Sequence, residues 1–443
     1  MAEQFDAGES GTTRTKAGPN KHYVLFILLV VYTFNFIDRQ IIGILAAPIK
    51  RELQLTDTQL GLMGGLAFAL FYAGLGIPIA YLADRRSRVW IITIALALWS
   101  AFTSLCGLVG GFWQLFLCRM GVGVGEAGGV APAYSLIADY FPRNERGRAL
   151  AVYSFGIPIG SALGVLFGGF IAAEVSWRAA FVVVGIAGLV LAFVFRPTVA
   201  DPPRGRYDPP TTNTEKATLA EVVRILLVKP SFWGLAFGAA TGSILGYGLM
   251  FWLPSFFGRS YGLSLKEVSL FMGGILLLGG VLGMWIGGYL ADKLGTKSPR
   301  YYALLPACAG LLAAPAYALA ILVPSLKLGF FLFLIPQSLG LVWLGPVLTS
   351  IQHLVAPNMR TTASAFFLFV NNLIGIGIGT VFFGALSDRL APRYGAEALR
   401  YSILIGLCFF LISATSYLLA SRRLEQDCIA GSVGRTRSEN ARC

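Results

Sequence analysis

Charge is what this sequence has least of. Asp, Glu, Lys and Arg make up only 13% of its 443 residues, where a soluble domain carries about 25%. Histidine is nearly absent, with His22 and His353 alone, and both fall at the ends of apolar runs. The six cysteines show neither metal-ligand spacing nor a disulfide framework. Residues 1–20 contain no apolar stretch and no small-residue cleavage site, so they read as a polar tail rather than a signal peptide. There is no G-x4-G-K-[ST] loop and no soluble domain to hold one, which excludes nucleotide hydrolysis as a power source.

Apolar residues fill the space that charge leaves. They are 56% of the chain, mean hydropathy is +0.70, and runs of 18 or more recur along its length. Each is long enough to cross a hydrocarbon core of ~30 Å as a helix. Twelve such helices are expected, at about 22–47, 59–82, 89–110, 113–138, 149–173 and 177–196, then 231–257, 267–291, 300–323, 328–353, 362–386 and 398–420. The fold class is thus an all-α membrane protein of twelve transmembrane helices in two six-helix halves. Its parts are a tail (1–21), an N-terminal half (22–196), a linker with an amphipathic segment (197–230), a C-terminal half (231–420) and a second tail (421–443). The net charge of +13 comes from loops rather than a basic face: 24 of 35 Lys and Arg fall on the side of the two tails and nine on the other. That bias predicts cytoplasmic tails and argues against nucleic acid as a partner.

The halves repeat. AYLADRRSR follows helix 2 and GYLADKLGTK follows helix 8, with Asp84 and Asp292 208 residues apart; GALSDR, with Asp388, is a weaker copy. Arg146 and Arg360 are a second pair, 214 residues apart. Two halves from one ancestor account for both spacings. Glycines at four-residue intervals, Gly156 to Gly168 on helix 5, Gly234 to Gly246 on helix 7 and Gly279 to Gly287 on helix 8, predict close helix packing.

The G-x-G-x-x-G stretch at 123–128 matches a dinucleotide turn. It lies within one apolar span, without the strand-turn-helix setting that motif needs. Glu126 is therefore read as a membrane carboxylate, two helical turns from Arg119. With Asp38 and Arg39 on helix 1 they make four ionisable residues in the membrane interior, where each charge costs about 2.5–3.5 kcal/mol and marks a substrate or proton path. Arg39 and Arg119 are the candidates for an anionic group; Glu126, then Asp38, are those for a coupling proton. Helices 7 to 12 carry no Asp, Glu, Lys or Arg in their cores; their candidate substrate contacts are Tyr247, Trp343, Asn371 and Asn372, and Trp252 is placed at the outer interface. A charged wall facing an apolar wall suits an amphiphile with an ionic headgroup.

The G-x3-D-[RK] loops after helices 2 and 8, with the R-x3-G-x-G-E run of helix 4, resemble the major facilitator superfamily. NFIDRQIIGILAAPIKRELQLTDTQLGL and the GVGEAGG run resemble its spinster branch more narrowly. Ala80 and Ser87 stand where the loop pattern prefers glycine, and helix 5 lacks the motif of drug antiporters. The resemblance implies alternating access and a lysophospholipid or sphingoid-lipid substrate with protons as co-ion; a symporter of small organic anions is the alternative, and a lipid scaffold or receptor a third reading. It also implies an inner gate of Asp84, Arg85, Arg88, Arg146, Asp292 and Arg360. No enzymatic activity, metal or cofactor is expected. The partners are protons, membrane lipids and the substrate, and the protein is expected to be a monomer in a cell inner membrane.

Overall fold

The computed structural model describes residues 20–83, 85–207, 218–356 and 359–428, apart from the side chains of Arg143 and Thr361. Those residues form twelve long helical spans and no strand. Six belong to the first half: helix 1 (Lys21–Ile44, then Ala46–Leu53), helix 2 (Asp57–Gly64, then Leu66–Ala83), helix 3 (Arg88–Cys106), helix 4 (Phe112–Glu126, then Val130–Tyr140), helix 5 (Arg143–Ser154, then Gly156–Glu174) and helix 6 (Trp177–Thr198). A short linker helix (Leu219–Leu227) precedes the second half: helix 7 (Pro230–Ser260), helix 8 (Leu265–Gly295), helix 9 (Tyr301–Leu322), helix 10 (Leu326–Leu339, then Leu344–His353), helix 11 (Arg360–Tyr394) and helix 12 (Ala398–Gly406, then Cys408–Asp427). Helices 11 and 12 run farther than the apolar pattern predicts.

Ten stretches are long and apolar enough to cross a membrane by themselves, the last of which, 362–427, takes in both helices 11 and 12. Helix 4 is the span left out, because Arg119 and Glu126 lower its hydropathy. The charges that make it interesting also hide it.

Four of the six breaks have a common cause. Those in helices 1, 4, 5 and 10 each end three residues before a proline, at Pro48, Pro132, Pro158 and Pro346. Proline has no N–H to give the carbonyl four residues back, and its ring crowds that carbonyl. The breaks at 127–129 and 340–343 end 214 residues apart, the spacing already seen in the sequence repeat. Helix 5 lies close on helix 1 because Gly160 has no side chain: a Cβ there would come within 2.3 Å of the Thr33 carbonyl oxygen.

An even number of crossings brings both chain ends to one side, here called the tail side; the other is the far side. On the far side one apolar core joins both halves, with Ile41, Ile42 and Ala162 packed with Phe251, Phe256 and Ile275. Toward the tail side the cores separate. One is built from helices 1 to 6 with Ile376 at its edge, the other from helix 7 and helices 9 to 12 with Val222 and Leu226 of the linker helix. The halves therefore meet across the far end.

Trp252 differs from expectation. It is fully buried, and its indole N–H donates to the Thr380 carbonyl at 2.8 Å. The expectation rested on tryptophan's preference for the lipid interface, but this face of helix 7 packs against helix 11.

Candidate functional site

The four ionisable residues come together between helices 1 and 4. Asp38, Arg119 and Glu126 are at most 1% exposed, and Arg39 Nε donates to Glu126 Oε2 at 2.7 Å. The pairing crosses between helices, whereas the sequence spacing suggested Glu126 with Arg119 and Asp38 beside Arg39. Neighbouring helical residues point about 100° apart. Arg39 thus faces helices 2 and 4 while Asp38 faces helix 3. Arg119 reaches the Asp38 backbone carbonyl at 3.5 Å rather than a carboxylate.

Aromatic rings surround the Arg39 guanidinium, with Tyr72, Phe68 and Phe36 centroids at 4.3, 5.0 and 5.1 Å. Such faces attract a cation and exclude water. Arg39 and Arg119 border a cavity between the halves. Its other walls are Phe36, Gln40, Phe68, Tyr247, Met250, Phe251, Ile376 and Thr380. Of the contacts expected from the second half, Tyr247 lines this cavity. Asn371 is buried and accepts from Ser243 Oγ at 2.9 Å, tying helix 11 to helix 7, and its amide leans on Asn372 at 3.3 Å. Trp343 lines a separate, apolar cavity inside the second half, beside Gly340, Phe410 and Tyr417.

Among the described gate candidates on the tail side, Arg85, Arg88 and Arg146 have contacts within the first half. Arg88 is fully buried and holds Asp139, Asp201 (2.7 Å) and the Pro202 carbonyl (2.7 Å), clasping the start of the linker. Arg146 donates to the Ala138 carbonyl, and Arg85 stacks on Tyr81. Asp292 is exposed and Arg360 is half-buried. Asp84 lies outside the described residues.

The ion pairs that join the halves among the described residues are on the far side, and the sequence reading passed over their members. Arg259 of helix 7 forks onto Asp57 of helix 2 at 2.6 and 2.7 Å. Ser387 of helix 11 donates to Asp57 at 2.8 Å, and Lys50 reaches the same carboxylate. Asp388 in turn caps the start of helix 2, accepting from the Asp57 and Thr58 amides at 3.1 and 2.7 Å and from the Thr58 hydroxyl at 2.6 Å. Lys266 pairs with Glu174 nearby. One signal was available: Arg259 is a basic residue on the side that has few of them.

Comparison with known proteins follows the same lines. Residues 28–380 match the family model of the Major Facilitator Superfamily. The chain is 37% identical over 414 residues to an MFS-type efflux pump of Mycolicibacterium smegmatis, covering 93% of this chain and 95% of that protein. It is 28% identical over 436 residues to Protein spinster homolog 1 of Xenopus tropicalis, covering 92% and 82%. A solved structure of a bacterial homologue of the human lysosomal transporter Spinster, inward-facing and unoccupied, superposes with a TM-score of 0.84 at 35% identity, over 94% of this chain and 100% of that one.

Proposed function

The chain belongs to the major facilitator superfamily as a transporter of the spinster type, and from that premise we propose that it carries a lysophospholipid or sphingoid-type amphiphile across the membrane, coupled to protons. The observation that carries this reading is the buried Arg39–Glu126 pair at the edge of a cavity with aromatic and aliphatic walls. Arg39 and Arg119 bind the anionic part of the substrate, since a guanidinium fork matches phosphate and carboxylate. Tyr247, Met250 and Phe251 take up its apolar part. Glu126 carries the proton, and Asp38 assists.

The excess of Lys and Arg on the tail side supports cytoplasmic tails in a cell inner membrane, with the protein working as a monomer. The sealed far side then makes this conformation inward-facing, and Asp57, Arg259 and Asp388 form the gate that holds it. Asp84, Arg85, Arg88, Arg146, Asp292 and Arg360 serve the opposite gate.

Two measurements test the reading. A lysophospholipid at 100 times its Kd should stabilise the purified protein by about 2.7 kcal/mol, seen as a raised melting temperature; stabilisation by small organic anions alone would favour the anion symporter instead. In proteoliposomes, Glu126→Gln should keep that stabilisation but lose uptake driven by an imposed pH gradient. Gradient-driven uptake at the wild-type rate would remove Glu126 as the proton carrier.

A further inference from the structure

Helix 3 carries no charge between Arg88 and its end, yet it turns a polar face toward the ionic site. Trp99, Ser100 and Thr103 are all 0% exposed, and Trp99 and Thr103, four residues apart, share one side of the helix. Both present a donor to the Asp38 carboxylate, close enough to act on its charge. Neither completes a hydrogen bond in this conformation: Trp99 Nε1, Thr103 Oγ1 and Asp38 Oδ1 are buried without a partner. Buried polar groups in native proteins are almost always bonded, so three left open side by side need an explanation.

The setting of helix 3 is rigid. On one flank Gly125 of helix 4 lies so near that an added Cβ would stand 2.6 Å from the Trp99 nitrogen. On the other, Gly188 of helix 6 leaves room for Ser100, where a Cβ would meet its hydroxyl at 2.2 Å. The helix that carries both donors is thus held on two flanks, as a preorganised polar site requires.

We propose that helix 3 is the seat of the charged Asp38 carboxylate: Trp99 Nε1 and Thr103 Oγ1 receive it once its proton has left, and so set the pH at which protons couple to transport. The proposal rests on the proton-coupled reading given above and adds two positioning residues to it. The other charged and titratable groups around the site are Arg119 and Glu126 of helix 4, Arg39 of helix 1, and the thiols of Cys106 and Cys118. Tyr32 of helix 1, Tyr72 of helix 2, Tyr153 of helix 5 and Tyr247 of helix 7 complete the set around Arg39 and Glu126. Arg119 also favours a charged Asp38, but it comes from helix 4 and bonds the Asp38 backbone. The helix 3 donors act on the carboxylate alone.

The test is the pH profile of uptake in proteoliposomes for Thr103→Val, which keeps the shape of the side chain and removes its hydroxyl. A hydrogen bond to a carboxylate favours the charged form, so its loss should move the midpoint of the profile upward by about one pH unit. Trp99→Phe should do the same, and Thr103→Ser, which restores a hydroxyl, should return the midpoint toward wild type. A role in packing alone would change rate or expression and leave the midpoint in place. Infrared difference spectra of the purified variants give the carboxyl protonation directly, without transport. An unshifted midpoint and an unshifted carboxyl band in both Thr103→Val and Trp99→Phe overturn the proposal. If wild-type uptake has no pH dependence at all, the proton-coupled reading itself fails, and the infrared titration of Asp38 still decides whether helix 3 holds the carboxylate.

Discussion

Replacing Asp57 by Asn should open the far side. The carboxylate receives two short bonds from Arg259, one from Ser387 and one from Lys50, so a single residue binds helix 2 to helices 7 and 11. Its side chain is 3% exposed and that of Arg259 is 23% exposed. Breaking a fully buried pair by removing one partner costs about 3–5 kcal/mol. Arg259 and Lys50 retain some access to water, which lowers the expected effect to about 2 kcal/mol. With 1.4 kcal/mol for each factor of ten, the balance between closed and open far sides moves roughly thirtyfold. A cysteine introduced at Met250, on the cavity wall below the seal, reports it in a background without native cysteines. A membrane-impermeant maleimide added to the far side of oriented proteoliposomes should label it faster in the Asp57→Asn background. Ser387→Ala removes one bond of 2.8 Å and should shift the balance by only about 1 kcal/mol. Labelling at the unaltered rate in Asp57→Asn would refute the latch, because no other described ion pair shares these three helices.

Three other outcomes follow from the geometry. Arg119→Lys keeps the charge but loses the fork, so substrate-dependent stabilisation should fall at least tenfold in apparent affinity, measured by thermal shift across a lysolipid titration. Gly160→Val would drive a side chain into the Thr33 carbonyl, 2.3 Å from the Cβ position, and should cost about 1–3 kcal/mol, read as a lower melting temperature in detergent. Burial pushes the Asp201 carboxyl up, but the Arg88 side chain and amide outweigh it and hold the carboxyl below its usual range. Its contribution to stability is therefore complete above the unfolded value of about 3.9 and is lost as pH falls through the lower folded value. Hydrogen exchange across residues 199–207, corrected for intrinsic rate, should stay constant from pH 7 to 5 and accelerate only as pH falls below the unfolded value.

The sequence was most readable where one residue type contradicts its surroundings. Arg119 and Glu126 stand out in an apolar run, and the structure does bring them beside Asp38 and Arg39. The twelve spans and the 214-residue repeat were equally visible, because both are properties of the chain in one dimension. Who pairs with whom was not. Glu126 takes Arg39 because helix 1 crosses helix 4 at one particular rotation, and no spacing within either helix encodes that rotation. The far-side latch joins residues 202 and 330 positions apart, and each of its members looks like an ordinary loop residue until the halves are packed. Trp252 was misplaced for the same reason: its interfacial preference is a weak prior that burial against helix 11 overrides.

The location of the charges constrains how coupling can work. Asp38, Arg39, Arg119 and Glu126 all belong to the first half, so a rigid rocking of one half against the other leaves their mutual distances unchanged. The Arg39–Glu126 bond is then not broken by the motion itself. What rocking does alter is the wall supplied by the second half. Phe251 packs against Gly43 and Gly64, and the Thr380 hydroxyl donates to the Gly61 carbonyl at 2.7 Å; these contacts roof the cavity and must part when the far side opens. Water and substrate would then reach Arg39 from the opposite direction. The proton coupling proposed above would accordingly run through hydration of the pair, or through local flexing at the break that begins directly after Glu126. The two routes separate by experiment. Gly129→Ala would stiffen the break, where an added Cβ meets only ordinary contacts at 3.5 Å and beyond, and should slow proton-driven uptake only if flexing is the route. Filling the roof at Gly64 would block wetting from the far side, and should slow it only if hydration is.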